Sequence, residues 1–303
     1  MDSPGDASSS GDSDPTSGVA GPGSAIGAAG LTGFHRTIRR ALRATGLSLA
    51  LLGLAGCYAA SEDRRFDDVS VVGLSPDPAE MRGAIVQVFA ARSWQRLSRL
   101  VAVHTWIAFK APDEARYTVM ETSQWYPYPP ALKTCRKRRP DRRWHGATPR
   151  LIAEITGAAA ERAIPRIREL ARDYPAEYDL WPGPNSNTFT AYIIRNTPEL
   201  KVDLPPTAIG KDYFVEAPPL RRSLSGTGVQ VSLNGMLGLT VGLDDGVEVN
   251  LFGAVFGVDL MPPALKLPII GRLGFDDAKR ADGIVPFPAE CRCGRRGGCW
   301  AAG

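Results

Sequence analysis

The chain between residues 84 and 125 alternates short apolar runs with turn residues, a pattern typical of strands. Three runs rich in Val, Ile, Phe, Tyr or Trp cover Ala84–Ala91, Leu100–Lys110 and Tyr117–Trp125, and turn residues such as Ala111-Pro112-Asp113 separate them. β-branched and aromatic residues in such short runs favour extended backbone. The pattern predicts a meander of antiparallel strands.

Helical patterns follow. The stretch from Pro149 to Tyr174 predicts helix in two parts, 149–157 and 158–174, because apolar residues such as Ile164 and Ile167 recur at helical spacing. Pro165 falls inside the second part, so we expect this helix to start late or to kink there.

A second helix is predicted after the block Trp181–Phe189, which is dense in turn and aromatic residues. Asn185 or Ser186 is suited to cap its start, since either side chain can accept a hydrogen bond from the first backbone N–H groups. Beyond this helix, residues 227–258 predict four short strands punctuated by glycine, and residues 261–275 predict an extended segment.

Together these elements indicate an α+β fold, an antiparallel sheet with packed helices. We assign a single α+β domain to residues 76–275 and a poorly ordered, cysteine-containing tail to residues 276–303. The composition agrees, with 44% hydrophobic and 22% charged residues, and 36 Lys plus Arg against 32 Asp plus Glu give a formal charge of +4. These values exclude a collagen-like, fully disordered or polytopic membrane chain.

The first 57 residues predict a tail and an export signal. Residues 1–34 are almost entirely Gly, Ser, Ala, Pro and Asp, and so cannot bury enough apolar surface to offset the entropy of ordering. We predict a disordered tail, and a translation start further in is the alternative. In residues 35–57, arginines precede the uncharged run Ala44–Gly56, which is the order of a secretory signal and shorter than the ~20 residues of a membrane span.

The end of this run, Leu54-Ala55-Gly56-Cys57, resembles the lipobox of bacterial lipoproteins. The resemblance implies a lipid on Cys57 and a protein of the bacterial cell envelope, membrane-anchored and facing the periplasm. The membrane lipid would then be a partner, through Cys57 or through the signal segment itself. The alternative is a buried amphipathic helix in which Cys57 is a small apolar residue.

A basic segment, Lys133–Arg143, carries seven bases and one acid. At a membrane surface it would attract anionic headgroups, at about 1 kcal/mol per base, and a solvated loop is the alternative. The export signal argues against a nucleic-acid partner. We predict no cofactor and no metal, because Cys291, Cys293 and Cys299 lack the Cys-x-x-Cys spacing of zinc sites and a nearby His.

Several motifs in the same order resemble the bacterial family called domain of unknown function 3750. The motifs are Ala102–Trp106 with Lys110, Trp181–Phe189, Leu204–Tyr213, Ser225–Gly228 with Gln230, and Leu265–Pro268 with Gly271-Arg272. The resemblance runs from about Pro76 to Phe275. That family has no established activity, so the resemblance implies no reaction.

A fainter resemblance, to circularly permuted papain-like proteins of the NlpC and PPPDE type, implies a candidate site. In those proteins a His on an early strand precedes a nucleophile at the start of a helix, in an Asn-Cys-Asn-x-Phe setting. Here His104 stands on a predicted strand, and Asn185-Ser-Asn-Thr-Phe189 begins a predicted helix. The resemblance implies a permuted papain-like scaffold with His104 and Ser186 as catalytic candidates, although Ser186 stands where the pattern has Cys.

A hydroxyl at a helix N-terminus lies at the positive end of the helix dipole, where backbone N–H groups can stabilise an oxyanion and an imidazole can take its proton. The alternative is that Asn185 and Ser186 are caps and that His104 is a hydrogen-bonded residue of the sheet. The candidate binding residues are Trp106, Trp181, Asn185, Asn187, Lys211, Asp212 and Asn250. Lys211 and Asp212 have a local ion pair as their alternative role.

The sequence therefore leaves two candidate functions. The first is an envelope protein whose papain-like domain binds a peptide, glycan or lipid without chemistry. The second is a serine acyl hydrolase or transferase that uses Ser186 and His104 on envelope amides or esters. Whether the protein is an enzyme is left open, and so is a third role, that of an adaptor that binds partners through the basic segment.

Overall fold

The computed structural model describes residues 68–93, 98–123, 132–136, 139–216 and 218–274, and for residues 132–136 it gives only the strand that they form. The predicted tail of residues 1–34, the export signal of residues 35–57 with Cys57, and the C-terminal tail lie outside the described residues. These assignments stay predictions, as do the boundaries of the predicted domain.

Five antiparallel strands form the first sheet. They are β1 (Ile85–Arg92), β2 (Val103–Lys110), β3 (Thr118–Thr122), β4 (Leu132–Arg136) and β5 (Arg150–Thr156), in the spatial order β4-β3-β2-β1-β5. The three strands predicted from the early apolar runs are thereby confirmed. Strand β1 is buried on both faces, because helices cover one face and a cluster around Phe89 and Trp106 covers the other.

The prediction of helix for residues 149–157 is wrong, because this segment contains strand β5. β5 pairs with β1, with Ile85 opposite Thr156 and Gln87 opposite Glu154. The β-branched Ile152, Ile155 and Thr156 favour extended backbone, and pairing with a buried central strand outweighs the helical pattern. The residues before β2 also differ from the prediction, because Ser98–Val101 form a short helix, α1, where a strand was expected from Leu100.

Two longer helices pack on the first sheet. Helix α2 (Gly157–Arg172) buries Ile164 and Ile167, and helix α3 (Ser186–Arg195) packs on β2 and β3. Pro165 does not delay the start of α2, since the helix begins at Gly157 and runs through Pro165. The alternative, a kink at Pro165, stays a prediction. Pro165 lies on the exposed side of the helix, where the carbonyl that loses its N–H donor can turn to water.

Seven antiparallel strands form a second sheet, in which each strand pairs with its neighbours along the chain. The strands are β6 (Leu220–Arg222), β7 (Gly228–Leu233), β8 (Leu237–Gly242), β9 (Gly246–Leu251), β10 (Ala254–Leu260), β11 (Pro263–Leu267) and β12 (Gly271–Gly274). The four predicted strands are confirmed as β7 to β10. The segment expected to be merely extended, 261–275, contains β11 and β12.

The second sheet has an unusual distribution of side chains. Its inward-facing residues are mostly polar and buried, for example Gln230, Glu248, Asn250 and Lys266, whereas its outward-facing residues are mostly aliphatic and exposed. The two sheets and their packed helices confirm the predicted α+β fold. None of the helices in the described part of the chain has the length and apolar character that a membrane span requires.

Part of the basic segment is engaged within the fold. Arg139 donates a hydrogen bond to the carbonyl of Ser75 (2.7 Å) and pairs with the buried Asp141 (3.3 Å). Arg143 pairs with Asp68 at 3.3 Å. Arg139 and Arg143 therefore serve local structure, and binding of headgroups by the segment stays a prediction.

Candidate functional site

The start of helix α3 is built by a capping box. The Asn185 side-chain oxygen accepts hydrogen bonds from the backbone N–H groups of Asn187 (2.9 Å) and Thr188 (3.2 Å), and the Thr188 hydroxyl accepts one from the Asn185 backbone N–H (3.0 Å). Such reciprocal bonds satisfy donors that a helix start leaves unpaired. Asn185 is therefore the cap, and Ser186 is the first residue of the helix.

A glycine allows a neighbouring loop to close against this cap. Gly210 has a φ of +96°, and a Cβ atom there would lie 2.5 Å from Asn185 Oδ1. The loop is held by hydrogen bonds from Asn185 Nδ2 to the Ile209 carbonyl (3.1 Å) and from the Thr188 hydroxyl to the Gly210 carbonyl (2.8 Å). Only glycine combines this backbone conformation with so close an approach.

Asn187 joins the helix start to the first sheet. Its Nδ2 donates to the carbonyls of Val103 (2.9 Å) and Ile209 (2.8 Å), and its Oδ1 accepts from the Thr105 hydroxyl (3.0 Å). All of its side-chain hydrogen-bonding groups are thus engaged within the protein. Asn185 and Asn187, both predicted as binding residues, therefore position the site through internal bonds.

Ser186 differs from its neighbours in having a hydroxyl without a partner. The residue is only 6% exposed, yet among the described residues nothing forms a hydrogen bond with its Oγ. The hydroxyl lies at the N-terminus of a ten-residue helix, where the backbone dipole favours negative charge. It is thus available to a ligand.

His104 is fixed by a carboxylate and two indole rings. Its Nε2 lies 2.9 Å from Glu121 Oε2, and its ring stacks on Trp144 with centroids 4.1 Å apart and on Trp106 with centroids 5.8 Å apart. Glu121 was not singled out from the sequence. Its signal there is a lone carboxylate in the otherwise apolar and hydroxyl-bearing run Tyr117–Ser123.

His104 and Ser186 approach the same cleft from different faces of the first sheet. Successive side chains of a strand point to opposite faces. The Thr105 hydroxyl bonds to Asn187 on the helix side, so His104 faces the other side, together with Trp106. No hydrogen bond joins His104 to Ser186, and their assignment as a catalytic pair stays a prediction.

The cleft has a volume of about 260 Å³ and lies where β2 begins and β3 ends, against the start of α3. Its walls are Ser93, Ser98, Val101, Ala102, Val103, His104, Thr122, Ser123, Trp144, Tyr178, Leu180, Trp181, Asn185, Ser186, Asn187 and Ile209. Trp181 and Leu180 at the rim are each 50% exposed.

Aromatic rings and hydroxyl groups dominate this lining, and none of its described residues is Asp, Glu, Lys or Arg. Burial raises the pKa of Tyr178 to about 12, so its phenol stays neutral. The hydroxyl of Thr122 is buried and has no hydrogen-bond partner among the described residues. A cleft with these properties suits an uncharged ligand that accepts or donates hydrogen bonds.

The remaining predicted binding residues lie elsewhere. Trp106 is 3% exposed, and its indole N–H donates to the Pro140 carbonyl at 3.1 Å. Lys211, Asp212 and Asn250 line no part of the cleft and instead form a buried polar cluster against the inner face of the second sheet.

In this cluster, Lys211 Nζ contacts Asp212 (2.9 Å) and Glu248 (2.6 Å), and Asn250 donates to Asp212 (2.9 Å). Burial alone would lower the pKa of Lys211, but the surrounding carboxylates outweigh it and raise this pKa. These contacts tie residues 211 and 212 to strand β9. They favour the ion-pair alternative that the sequence left open.

Lys266 extends the cluster, with contacts to Asp203 (2.5 Å), Glu248 (2.8 Å) and Asp259 (2.9 Å). Burial and the neighbouring Glu248 raise the pKa of Asp203 to about 8, against the opposing effect of Lys266. Within the described ranges, no group of His, Cys, Asp and Glu residues is arranged to hold a metal ion.

The fold and the cleft define a class of protein: an α+β protein with two antiparallel sheets and an aromatic, hydroxyl-lined cleft at a capped helix start. Residues 83–213 match the model of the family described as "Protein of unknown function (DUF3750)". The family resemblance seen in the sequence is therefore confirmed over this range.

The matched segment contains the whole first sheet, helices α1 to α3 and every described residue that lines the cleft. The motifs Ser225–Gly228 and Leu265–Pro268 lie beyond it. No curated protein and no solved structure matches the chain. The papain-like resemblance stays a prediction.

Proposed function

We propose that this is a binding protein whose cleft takes an uncharged oligosaccharide segment and performs no chemistry on it. A sugar ring has an apolar C–H face and a rim of hydroxyl and amide groups, so it needs both stacking surfaces and hydrogen-bonding groups. The cleft offers Trp181 at its rim, Trp144 and Tyr178 in its walls, and the hydroxyls of Thr122 and Ser186 without partners.

The unpartnered Thr122 hydroxyl is the observation that carries the proposal. A buried hydroxyl without a hydrogen bond costs about 1–3 kcal/mol, and Thr122, unlike the equally unpartnered Thr190, lines a cleft in which a ligand can supply the missing bond. The uncharged character of the described lining residues supports an uncharged ligand over a phosphorylated or carboxylate-bearing one. The cellular setting that we propose is the bacterial envelope, with attachment to the membrane through Cys57.

Substitution of Thr122 by Val separates ligand binding from folding, because the two side chains have nearly the same shape. The full chain is titrated with a neutral tetramer of N-acetylglucosamine, followed by tryptophan fluorescence and calorimetry. We expect Thr122→Val to weaken binding about tenfold, as loss of one hydrogen bond implies, while leaving stability unchanged or slightly higher.

Thr190→Val is the matched control. Thr190 is also buried with no partner for its hydroxyl among the described residues, but it does not line the cleft, so its replacement should leave binding unchanged. Trp181→Ala should abolish detectable binding. No binding by the wild type, or equal loss in both Thr→Val variants, would contradict the proposal, and binding of an uncharged peptide instead would redirect it.

Catalysis by Ser186 is the second candidate function. The free Oγ of Ser186 at a helix N-terminus favours it, as does His104, which borders the same cleft and is paired with Glu121. A fluorophosphonate probe should then label the wild type and Ser123→Ala but not Ser186→Ala, since Ser123 also lines the cleft. Absence of labelling that depends on Ser186 is what the binding function predicts.

A further inference from the structure

The outward face of the second sheet is an unbroken apolar surface. Every outward-facing residue of strands β7 to β11 is apolar, and these strands are fully described. The strand registers place the residues in rows across the sheet. One row consists of Val231, Leu239, Val249 and Phe256, and the next of Val229, Val241, Val247, Val258, Leu265 and Leu273.

The side chains of this apolar surface are exposed to solvent to an unusual extent. The residues of the two rows are between 38% and 54% exposed. Strands lie about 4.8 Å apart and rise about 3.3 Å per residue, so the seven strands, of three to seven residues each, give a face of roughly 600 Å². The largest apolar patch on a typical monomeric protein is about 300–600 Å² and is often functional, so a face at the upper end of this range points to an interaction surface.

The opposite face of the second sheet shows why the apolar face is the one that points outward. The inward residues Gln230, Glu248 and Lys266 are buried at 2% exposure or less and belong to the hydrogen-bonded polar cluster. Turning the sheet over would leave this cluster unpaired. The polar face is thus fixed inward, and the apolar face is fixed outward.

The chemistry of the face points to lipid acyl chains as the occupant. Contacts between proteins normally include about one hydrogen bond per 100–200 Å², yet the outward side chains of β7 to β11 carry no hydrogen-bonding group. The edge strand β6 turns Leu220 and Arg222 outward, and Arg222, whose guanidinium donates to the Gly226 carbonyl (2.8 Å), has a long side chain of the kind that reaches headgroups from an apolar surface.

The turns at both ends of the strands also carry exposed apolar side chains. Leu243 in the β8–β9 turn is 80% exposed, Met261 after β10 is 73% exposed, and Phe252 at the opposite end is 63% exposed. An acyl layer would cover these tips and the strands together. The β9–β10 turn also adjoins the cleft rim, since a Cβ at Gly253 would lie 3.4 Å from the Trp181 indole nitrogen.

We propose that the outward face of the second sheet lies on the acyl-chain layer of a membrane. This contact would hold the cleft mouth at the membrane surface. It depends on the second sheet alone and is independent of what the cleft binds.

Photolabelling from within the lipid tests the proposal on the full chain. Phosphatidylcholine vesicles carrying a diazirine on the acyl chain are mixed with the protein and irradiated, and the adducts are mapped by mass spectrometry. We expect adducts in the peptides that cover residues 228–267. The double variant Val231→Ser with Val249→Ser, which changes two members of one row, should reduce their yield about tenfold or more.

Val69→Ser with Val71→Ser is the matched control, because these residues are also about half exposed but lie outside the sheet, and it should leave the yield unchanged. Adducts confined to residues 35–57, or no adducts, would overturn the proposal. A dimer in water whose residues 228–267 are protected from hydrogen exchange and acquire no adducts would also overturn it and assign the face to a second copy. If the double variant does not fold, the wild-type adduct map decides.

Discussion

The most demanding structural prediction concerns Asn187, because its side chain joins helix α3, strand β2 and the loop at Ile209. Asn187→Ala removes three buried hydrogen bonds, of 2.8, 2.9 and 3.0 Å. Each is worth about 1 kcal/mol net, so the free energy of unfolding should fall by about 3 kcal/mol. Asn196→Ala is the control, because it removes one bond, to the Tyr192 carbonyl, and should cost about 1 kcal/mol.

The assay is urea unfolding followed by circular dichroism. With a slope of about 2–3 kcal/mol per molar urea, Asn187→Ala should lower the midpoint by about 1 M, and Asn196→Ala by less than half of that. The reasoning would be refuted if the two variants shifted the midpoint equally. Equal shifts would mean that the three bonds of Asn187 contribute no more to stability than the single bond of Asn196.

Two further predictions concern the cap and the polar cluster. Gly210→Ala should destabilise the protein by about 2–4 kcal/mol, because the positive φ and the Asn185 side chain both exclude a Cβ; thermal melting checks this, and a change below 1 kcal/mol would contradict it. Since the folded pKa of Asp203 is raised above its unfolded value of 3.8, its contribution to stability should be complete below pH 4 and lost as the pH rises through about 8. Asp203→Asn should therefore flatten the fall in unfolding free energy between pH 5 and pH 9, and a slope equal to that of the wild type would refute the assignment.

The sequence predicts elements well where one physical signal dominates. The β-branched and aromatic runs become β1 to β3, and Asn185 becomes a cap because the next helical residues present unpaired N–H groups. Residues 150–156 mislead because their apolar spacing fits a helix as well as a strand. Only the partner strand β1, more than 50 residues away along the chain, decides between the two.

The candidate site was predicted in part. His104 and Ser186 do border one cleft, but they approach it from different faces of the first sheet. The bond between Thr105 and Asn187 shows which face is which, and this bond is not visible in the sequence. Trp144 and Tyr178 reach the cleft only through tertiary folding. Lys211 was expected to meet other polar groups, and it does, but beneath the second sheet.

The central claim is that the cleft binds an uncharged ligand. Hydrogen exchange in the presence of the N-acetylglucosamine tetramer is the most direct test of it. At saturating tetramer, the account predicts slower exchange in the peptides that cover residues 101–105 and 180–189, and no change in residues 228–260. Unchanged exchange around the cleft, or protection spread equally over both sheets, would contradict it.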